Sequence, residues 1–270
     1  MKLGLSTFAY TWSFGFAGKV PAAPLDAFTF LHKAAGLGAR VVQIADNVPL
    51  DTLSADERRR VHALAKESGI QVEVGMRGLI EEKVLANLAI AKEFQSPVLR
   101  IVTDTSTFKP DPAEIVAIVR RLKGPLEAAG IALAIENHDR FTAPVLASII
   151  ADVASPCVGI CLDTVNSFGA LETPEVVIET LGPLAVNVHL KDFTIKRPWH
   201  SMGFLVEGTA AGEGRLKVPY LLERMKAFGR EPNLILETWV APEERLEDSI
   251  AKEQDWTARG FANMRRLIPD

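Results

Sequence analysis

Short β-branched runs alternate with longer amphipathic stretches along the whole chain, and that alternation leaves few folds open. The candidate strands are Leu3–Phe8, Val41–Ala45, Gln71–Met76, Pro97–Val102, Ile131–Glu136, Cys157–Asp163, Ala185–Leu190 and Asn233–Thr238. Between them the apolar period lengthens to that of a helix, over Pro24–Leu37, Ser54–Ser68, Glu81–Phe94, Pro112–Ala129, Ala143–Val153, Pro174–Leu181, Val218–Phe228 and about Glu244–Leu267. A strand followed by a helix, repeated eight times, requires parallel strands joined by crossovers.

The punctuation agrees with this division. Gly36 and Gly38, Gly69, Gly130, Gly182 and Gly229 fall where helices should end, as C-terminal caps. Ser54 with Glu57 reads as a capping box, and Thr173-Pro174 as a cap followed by an N1 proline. No Pro/Ser-rich linker interrupts the pattern, so residues 1–270 are expected to form one domain. An open doubly wound sheet would want a glycine-rich phosphate turn after the first strand. That position carries Ser6-Thr7-Phe8-Ala9-Tyr10-Thr11-Trp12 instead, and an α/β (β/α)8 barrel is the expected fold.

Composition matters here mainly for what it excludes. At 48 % hydrophobic and 24 % charged, the chain is neither disordered nor fibrous. The net charge of −4 and the acidic neighbours of Arg58-Arg59-Arg60 and Arg120-Arg121 speak against a nucleic-acid partner. No signal-peptide core opens the chain and no apolar run suits a membrane span, so a soluble, cytoplasmic protein without membrane attachment is expected. Cys157 and Cys161, four residues apart on a strand, are too distant for a disulfide and should be two buried thiols.

Functional groups of such barrels collect at the C-terminal strand ends. Four consecutive strands end there on an ionisable residue: Ala134-Ile135-Glu136, Cys161-Leu162-Asp163, Asn187-Val188-His189 and Ile235-Leu236-Glu237. Carboxylates and an imidazole aimed into an apolar barrel mouth are costly unless a cation joins them. Three oxygen donors with one imidazole suit one divalent ion, Mn²⁺, Mg²⁺ or Co²⁺, with Zn²⁺ also accommodated. Such a site would polarise a substrate carbonyl. Each residue alone also has an ordinary structural reading, as a cap, salt-bridge partner or hydrogen-bonded core histidine. Their coincidence on successive strands favours the metal.

The segments Ile135-Glu136-Asn137-His138-Asp139-Arg140-Phe141, Leu162-Asp163-Thr164-Val165-Asn166, His189-Leu190-Lys191-Asp192 and Leu236-Glu237-Thr238 resemble the metal-site segments of the xylose-isomerase-like sugar isomerases and epimerases, close to ketose 3-epimerases. The resemblance implies a divalent metal held by Glu136, Asp163, His189 and Glu237, with Glu136 and Glu237 also serving as an acid/base pair. Two departures bear on the substrate: Asn166 stands where such epimerases often carry histidine, and Thr142 where they place a glutamate.

Further candidates for substrate contact are His138, Asn166, Lys191, Arg197 and Trp12, with His200 beside Arg197. The first strand's loop is rich in Tyr10, Trp12, Phe14 and Phe16, which could stack on a sugar or pack on neighbouring loops or a second subunit; a homo-oligomer stays open. The glycine-rich stretch Gly208–Gly214 is expected to be a flexible turn on the substrate side.

The expected function is therefore a metal-dependent isomerase or epimerase acting on a small carbohydrate, by proton abstraction next to a polarised carbonyl. The alternative is a lyase or dehydratase of the same superfamily acting on a keto-inositol or 3-keto-glycoside. An endonuclease would want several metals, and the chain has only His32, His62, His138, His189 and His200 to offer as histidine ligands. A non-catalytic sugar-binding barrel and a Schiff-base aldolase using Lys191 complete the alternatives.

Overall fold

Residues 1–269 are described in a computed structural model. The barrel strands are β1 (Leu3–Ser6), β2 (Val41–Ile44), β3 (Gln71–Arg77), β4 (Val98–Val102), β5 (Ala132–Glu136), β6 (Val158–Asp163), β7 (Ala185–Leu190) and β10 (Asn233–Leu236). They close in the order β1-β10-β7-β6-β5-β4-β3-β2, every neighbouring pair parallel. The chain is a (β/α)8 barrel.

The helices are α1 (Thr11–Phe14), α2 (Ala27–Gly36), α3 (Ala55–Glu67), α4 (Glu81–Glu93), α5 (Pro112–Ala129), α6 (Ala143–Val153), α7 (Pro174–Leu181), α8 (Val218–Ala227) and α9 (Leu246–Leu267). The longer helices turn apolar stripes to the barrel: Phe30 and Leu31 from α2, Ile115, Leu122 and Leu126 from α5, Phe261 and Met264 from α9 are buried. Burying one such side chain contributes roughly 1.5–3 kcal/mol. The Ser54–Glu57 capping box forms, and a second one, Asp111–Glu114, starts α5 with Pro112 at N1.

Several local expectations need correction. Gly182 does cap the C-terminus of α7, but in a right-handed conformation (φ −54), and Gly36 is the last residue of α2 rather than its cap. Gly182 answers to crowding instead: a Cβ there would lie 2.6 Å from the Phe228 ring and 2.8 Å from Met225 Cε. Thr173 precedes Pro174 but makes no side-chain cap hydrogen bond. Cys157 is partly exposed because it precedes β6 and its N–H donates to Ser155 Oγ; Cys161 is buried, and both are free thiols.

The sequence pattern missed one element. After β7 the chain forms an antiparallel hairpin, β8 (Asp192–Lys196) with β9 (Leu205–Thr209), before continuing to α8. The glycine-rich stretch thus begins inside β9, and it is held rather than flexible. Asp192 Oδ2 accepts from Gly212 N and Gly214 N, and Oδ1 from Leu216 N, each at 2.9 Å. One buried carboxylate fixes the whole turn. No helix among the described residues is long and apolar enough to cross a membrane.

Candidate metal centre

The barrel register brings the four strand-end residues together. Glu136 ends β5 and pairs in register with Cys161; Asp163 ends β6 opposite His189 of β7. Glu237 follows β10, its N–H donating to Leu190 O at 3.1 Å. His189 Nδ1 lies 3.5 Å from Glu136 Oε2, 3.9 Å from Asp163 Oδ2 and 3.4 Å from Glu237 Oε1. All four side chains are buried.

These four atoms share a second property: all are buried, His189 Nδ1 and Glu237 Oε1 without a hydrogen-bond partner among the described residues, and Glu136 Oε2 and Asp163 Oδ2 meeting only the cationic side chains of Arg100 and Lys191. The outer oxygens are held. Glu136 Oε1 accepts from Asn166 Nδ2 at 2.8 Å, and Asp163 Oδ1 accepts from Val165 N and Asn166 N at 2.8 Å. One oxygen of each of these two carboxylates is thus tied down while the other faces the imidazole. Buried carboxylate lone pairs converging in this way are costly without a cation between them. Three carboxylates and a neutral imidazole suit a divalent ion, so the residues fit such a group. Asp163, His189 and Glu237 offer ligand atoms within 4.8 Å of one another, as do Glu136, Cys161 and His189.

Two permanent cations also reach the centre. Lys191 Nζ lies 2.8 Å from Asp163 Oδ2 and 2.9 Å from Glu237 Oε2. Arg100 of β4 contacts Glu136 Oε2 through Nε and Asp46 Oδ1 through Nη1 at 2.7 Å. Asp46 in turn pairs with Arg77 at 2.9 Å. Burial alone would raise the Glu136 carboxyl pKa, but Arg100 and His189 outweigh it and hold the group well below its ordinary value. Burial would likewise lower Lys191, yet Asp163 and Glu237 keep its ammonium form strongly favoured.

Of the further candidates, Asn166 and Lys191 are brought to the centre. Asn166 Oδ1 accepts from Lys191 Nζ at 3.3 Å, bridging it to Glu136. Trp12 lines a cavity of about 420 Å³ with Phe8, Phe16, Lys191, Glu237 and Trp239. Its indole N–H is already donated to Val240 O at 2.9 Å, so it offers that cavity an apolar face. His138 sits on the rim of a neighbouring cavity of about 300 Å³ beside Glu136, with Nδ1 2.8 Å from Asp139 Oδ1.

Arg197 is not brought to the four strand-end residues. It lies just past β8 at the hairpin tip, donates to Ser201 O at 2.8 Å and stacks over Phe204 at 4.5 Å. His200 lies at the same tip, its ring 5.3 Å from Trp199. The aromatic loop divides its work: Trp12 and Phe16 face the cavity, whereas Tyr10 and Phe14 pack on Phe30 at 6.2 and 6.0 Å. Thr142 stands at the N-cap position of α6 without a side-chain cap bond.

Residues overlooked in the sequence include Arg100, Gln43 and Glu73, all buried. Each left a signal, a polar residue inside an apolar strand: Val98-Leu99-Arg100-Ile101, Val41-Val42-Gln43-Ile44 and Val72-Glu73-Val74.

The family described as the xylose isomerase-like TIM barrel matches residues 31–260. The 3-oxo-isoapionate decarboxylase of Pectobacterium atrosepticum is 32 % identical over 257 residues, covering 95 % of this chain and 92 % of that protein. Among solved structures, D-psicose 3-epimerase in the presence of D-fructose superposes with a TM-score of 0.74 at 17 % identity, covering 99 % of both chains. A xylose isomerase-like TIM barrel protein from Mycobacterium smegmatis in complex with magnesium gives 0.71 at 16 % identity, covering 97 % of both chains. At these identities the two solved structures speak for the fold.

Proposed function

The chain belongs to the xylose isomerase-like TIM barrel family, and from that membership and its site geometry we propose that it is a metal-dependent lyase releasing carbon dioxide from a 3-oxo sugar acid. The observation that carries this reading is the pairing of both candidate bases with cations, Glu136 with Arg100 and Glu237 with Lys191. Epimerisation wants a carboxylate free to take a proton on each face. Decarboxylation of a 3-oxo acid needs no base, because the breaking bond itself delivers the electron pair.

Charge supports the same substrate class. Glu136, Asp163 and Glu237 stand against Lys191 and Arg100, while Asp46 is balanced by Arg77, which leaves one net negative charge. A divalent cation turns that into one net positive charge, matched to a substrate carrying one carboxylate. The relative named as a 3-oxo-isoapionate decarboxylase supplies the specific class.

Glu136, Asp163, His189 and Glu237 would hold a divalent ion, which would supply Lewis-acid polarisation of the 3-oxo group. Phe8, Trp12, Phe16 and Trp239 give the cavity an apolar wall, which favours loss of a carboxylate as neutral carbon dioxide. The C1–C2 bond breaks, its electron pair becomes the C2=C3 bond of an enolate, and C2 then takes a proton. Lys191, which lines the cavity beside Glu237, is the group placed to hand over that proton and recover one from solvent. Asn166 holds the Lys191 ammonium and the Glu136 carboxylate in register.

A second reading, a metal-dependent isomerase or epimerase, draws on one observation. Glu136 and Glu237 reach His189 Nδ1 from strands separated by two others, within 3.5 Å on each side. Proton NMR in D₂O, with Mn²⁺ or with EDTA, separates the two over a panel of 3-oxo sugar acids, ketoses and keto-glycosides. A Mn²⁺-dependent product shortened by the carboxyl carbon, with one deuteron gained at C2, is the expected result. Deuterium exchange without loss of mass would install the epimerase reading, and loss of water or an aglycone would install an eliminating lyase.

A further inference from the structure

Beneath the metal ligands, the barrel interior holds a second layer of polar side chains that the proposed reaction does not use. Glu73 of β3 is fully buried and accepts from three amides: Asn187 Nδ2 at 2.7 Å, Gln43 Nε2 at 3.2 Å and Asn233 Nδ2 at 2.8 Å. Gln43 Nε2 also donates to Asn187 Oδ1 at 3.1 Å. The remaining atom of the Gln43 amide, Oε1, lies 2.7 Å from His189 Nε2.

We propose that Gln43, oriented by Glu73 and Asn187, is a positioning residue that fixes the His189 tautomer and leaves Nδ1 bare toward Glu136, Asp163 and Glu237. The argument is one of donors and acceptors. Glu73 Oε2 accepts, so Asn187 and Gln43 must both turn their NH₂ groups to it. Rotating the Gln43 amide would press its carbonyl oxygen against Glu73 Oε2 and Asn187 Oδ1, both acceptors. Oε1 therefore stays toward His189 and can only accept, so the imidazole proton sits on Nε2. A neutral imidazole has a single N–H, and Nδ1 is left with its lone pair.

Without that acceptor the proton would be drawn to Nδ1, where three carboxylate oxygens lie within 3.9 Å. A cation would then have to displace it before binding. Partners that orient a ligating histidine typically change metal affinity about 10–100-fold. The order of influence runs from Glu73 through Gln43 to His189, three residues on three strands of the barrel.

This inference rests on the reading of His189 as a metal ligand, and the test keeps the two apart. Long-range ¹H–¹⁵N correlation on the EDTA-treated chain, taken at alkaline pH where the imidazole is neutral, reports which His189 nitrogen carries the proton, with His189→Gln used to assign the signals. Mn²⁺ titration of the same samples reports affinity. The wild type should show Nε2 protonated and Nδ1 bare. Gln43→Met should lose that pattern and weaken Mn²⁺ binding about 10–100-fold. The exchange Gln43→Glu with Glu73→Gln restores an acceptor at residue 43 and a donor at residue 73, and should return both readouts to within about threefold of wild type.

A folded Gln43→Met with wild-type nitrogen shifts and Mn²⁺ affinity would overturn the proposal. Should that variant not fold, the exchange variant decides: Nδ1 protonated there would overturn it equally. Nitrogen shifts that move as expected in a chain that binds no Mn²⁺ would support the positioning role while removing the metal from the proposed reaction.

Discussion

Lys191 and Asp163 form a buried ion pair, Nζ to Oδ2 at 2.8 Å, and the same ammonium reaches Glu237 at 2.9 Å. Removing it would leave two buried carboxylates without their cation. Lys191→Met is expected to destabilise the metal-free protein by about 3 kcal/mol, in line with breaking a buried pair from one side. The proposed proton transfer predicts in addition a fall in kcat of at least about 100-fold. Denaturant unfolding and turnover measure the two separately. Turnover within a fewfold of wild type would remove Lys191 from the reaction.

The four ligand atoms that converge around His189 Nδ1 make metal and stability interdependent. Mn²⁺ at 100 times its Kd should raise unfolding free energy by about 2.7 kcal/mol over the EDTA-treated protein. Glu237→Gln should keep the barrel folded, weaken that gain and abolish turnover. Thermal melts with and without Mn²⁺ check this, and a variant with an unchanged gain would show that Glu237 holds no ion.

Glu253 of α9 ties the aromatic loop to the last helix, accepting from Trp12 N at 2.8 Å and from Ser13 N and Oγ at 2.6 Å. Burial pushes its carboxyl up from 4.5 to about 7, against the lowering effect of those donors. A raised folded-state pKa favours the protonated form in the native state. Its stabilising contribution is therefore full below pH 4.5 and is lost as pH rises through 7, amounting to up to about 3 kcal/mol. Glu253→Gln should flatten the stability curve between those limits relative to wild type. Parallel wild-type and variant curves would contradict it.

Gly214 lies against Asp192 so closely that a Cβ would collide with the Asp192 carboxylate and the Phe193 carbonyl. Gly214→Ala should cost about 2–4 kcal/mol by breaking the turn that Asp192 holds. Gly36, at the end of α2 with nothing within 4 Å of a Cβ, provides the control. Gly36→Ala should be neutral or stabilising by about 0.4–1 kcal/mol. Urea unfolding of the pair tests the contrast, and equal effects would remove the steric account.

By itself, the sequence determined what depends on neighbours along the chain. The apolar period marks Pro112–Ala129, Ala143–Val153, Pro174–Leu181 and Ala185–Leu190 with the observed bounds, because helix and strand faces repeat within a few residues. Glu136, Asp163, His189 and Glu237 stood out because each ends an apolar strand, and parallel strands of similar length put their ends at one level. The tertiary structure alone decided which side chains those ends meet. Arg100 comes from β4 to Glu136 of β5, and Gln43 of β2 crosses the interior to His189 of β7. Neither contact leaves a periodic trace, because barrel closure joins residues far apart in the chain. The β8–β9 hairpin escaped notice for a related reason: its turn carries Arg197, His200 and a row of apolar residues that no buried face arranges into a pattern. Local periodicity thus specified the scaffold and the level of the site, while closure of the barrel selected its electrostatic partners.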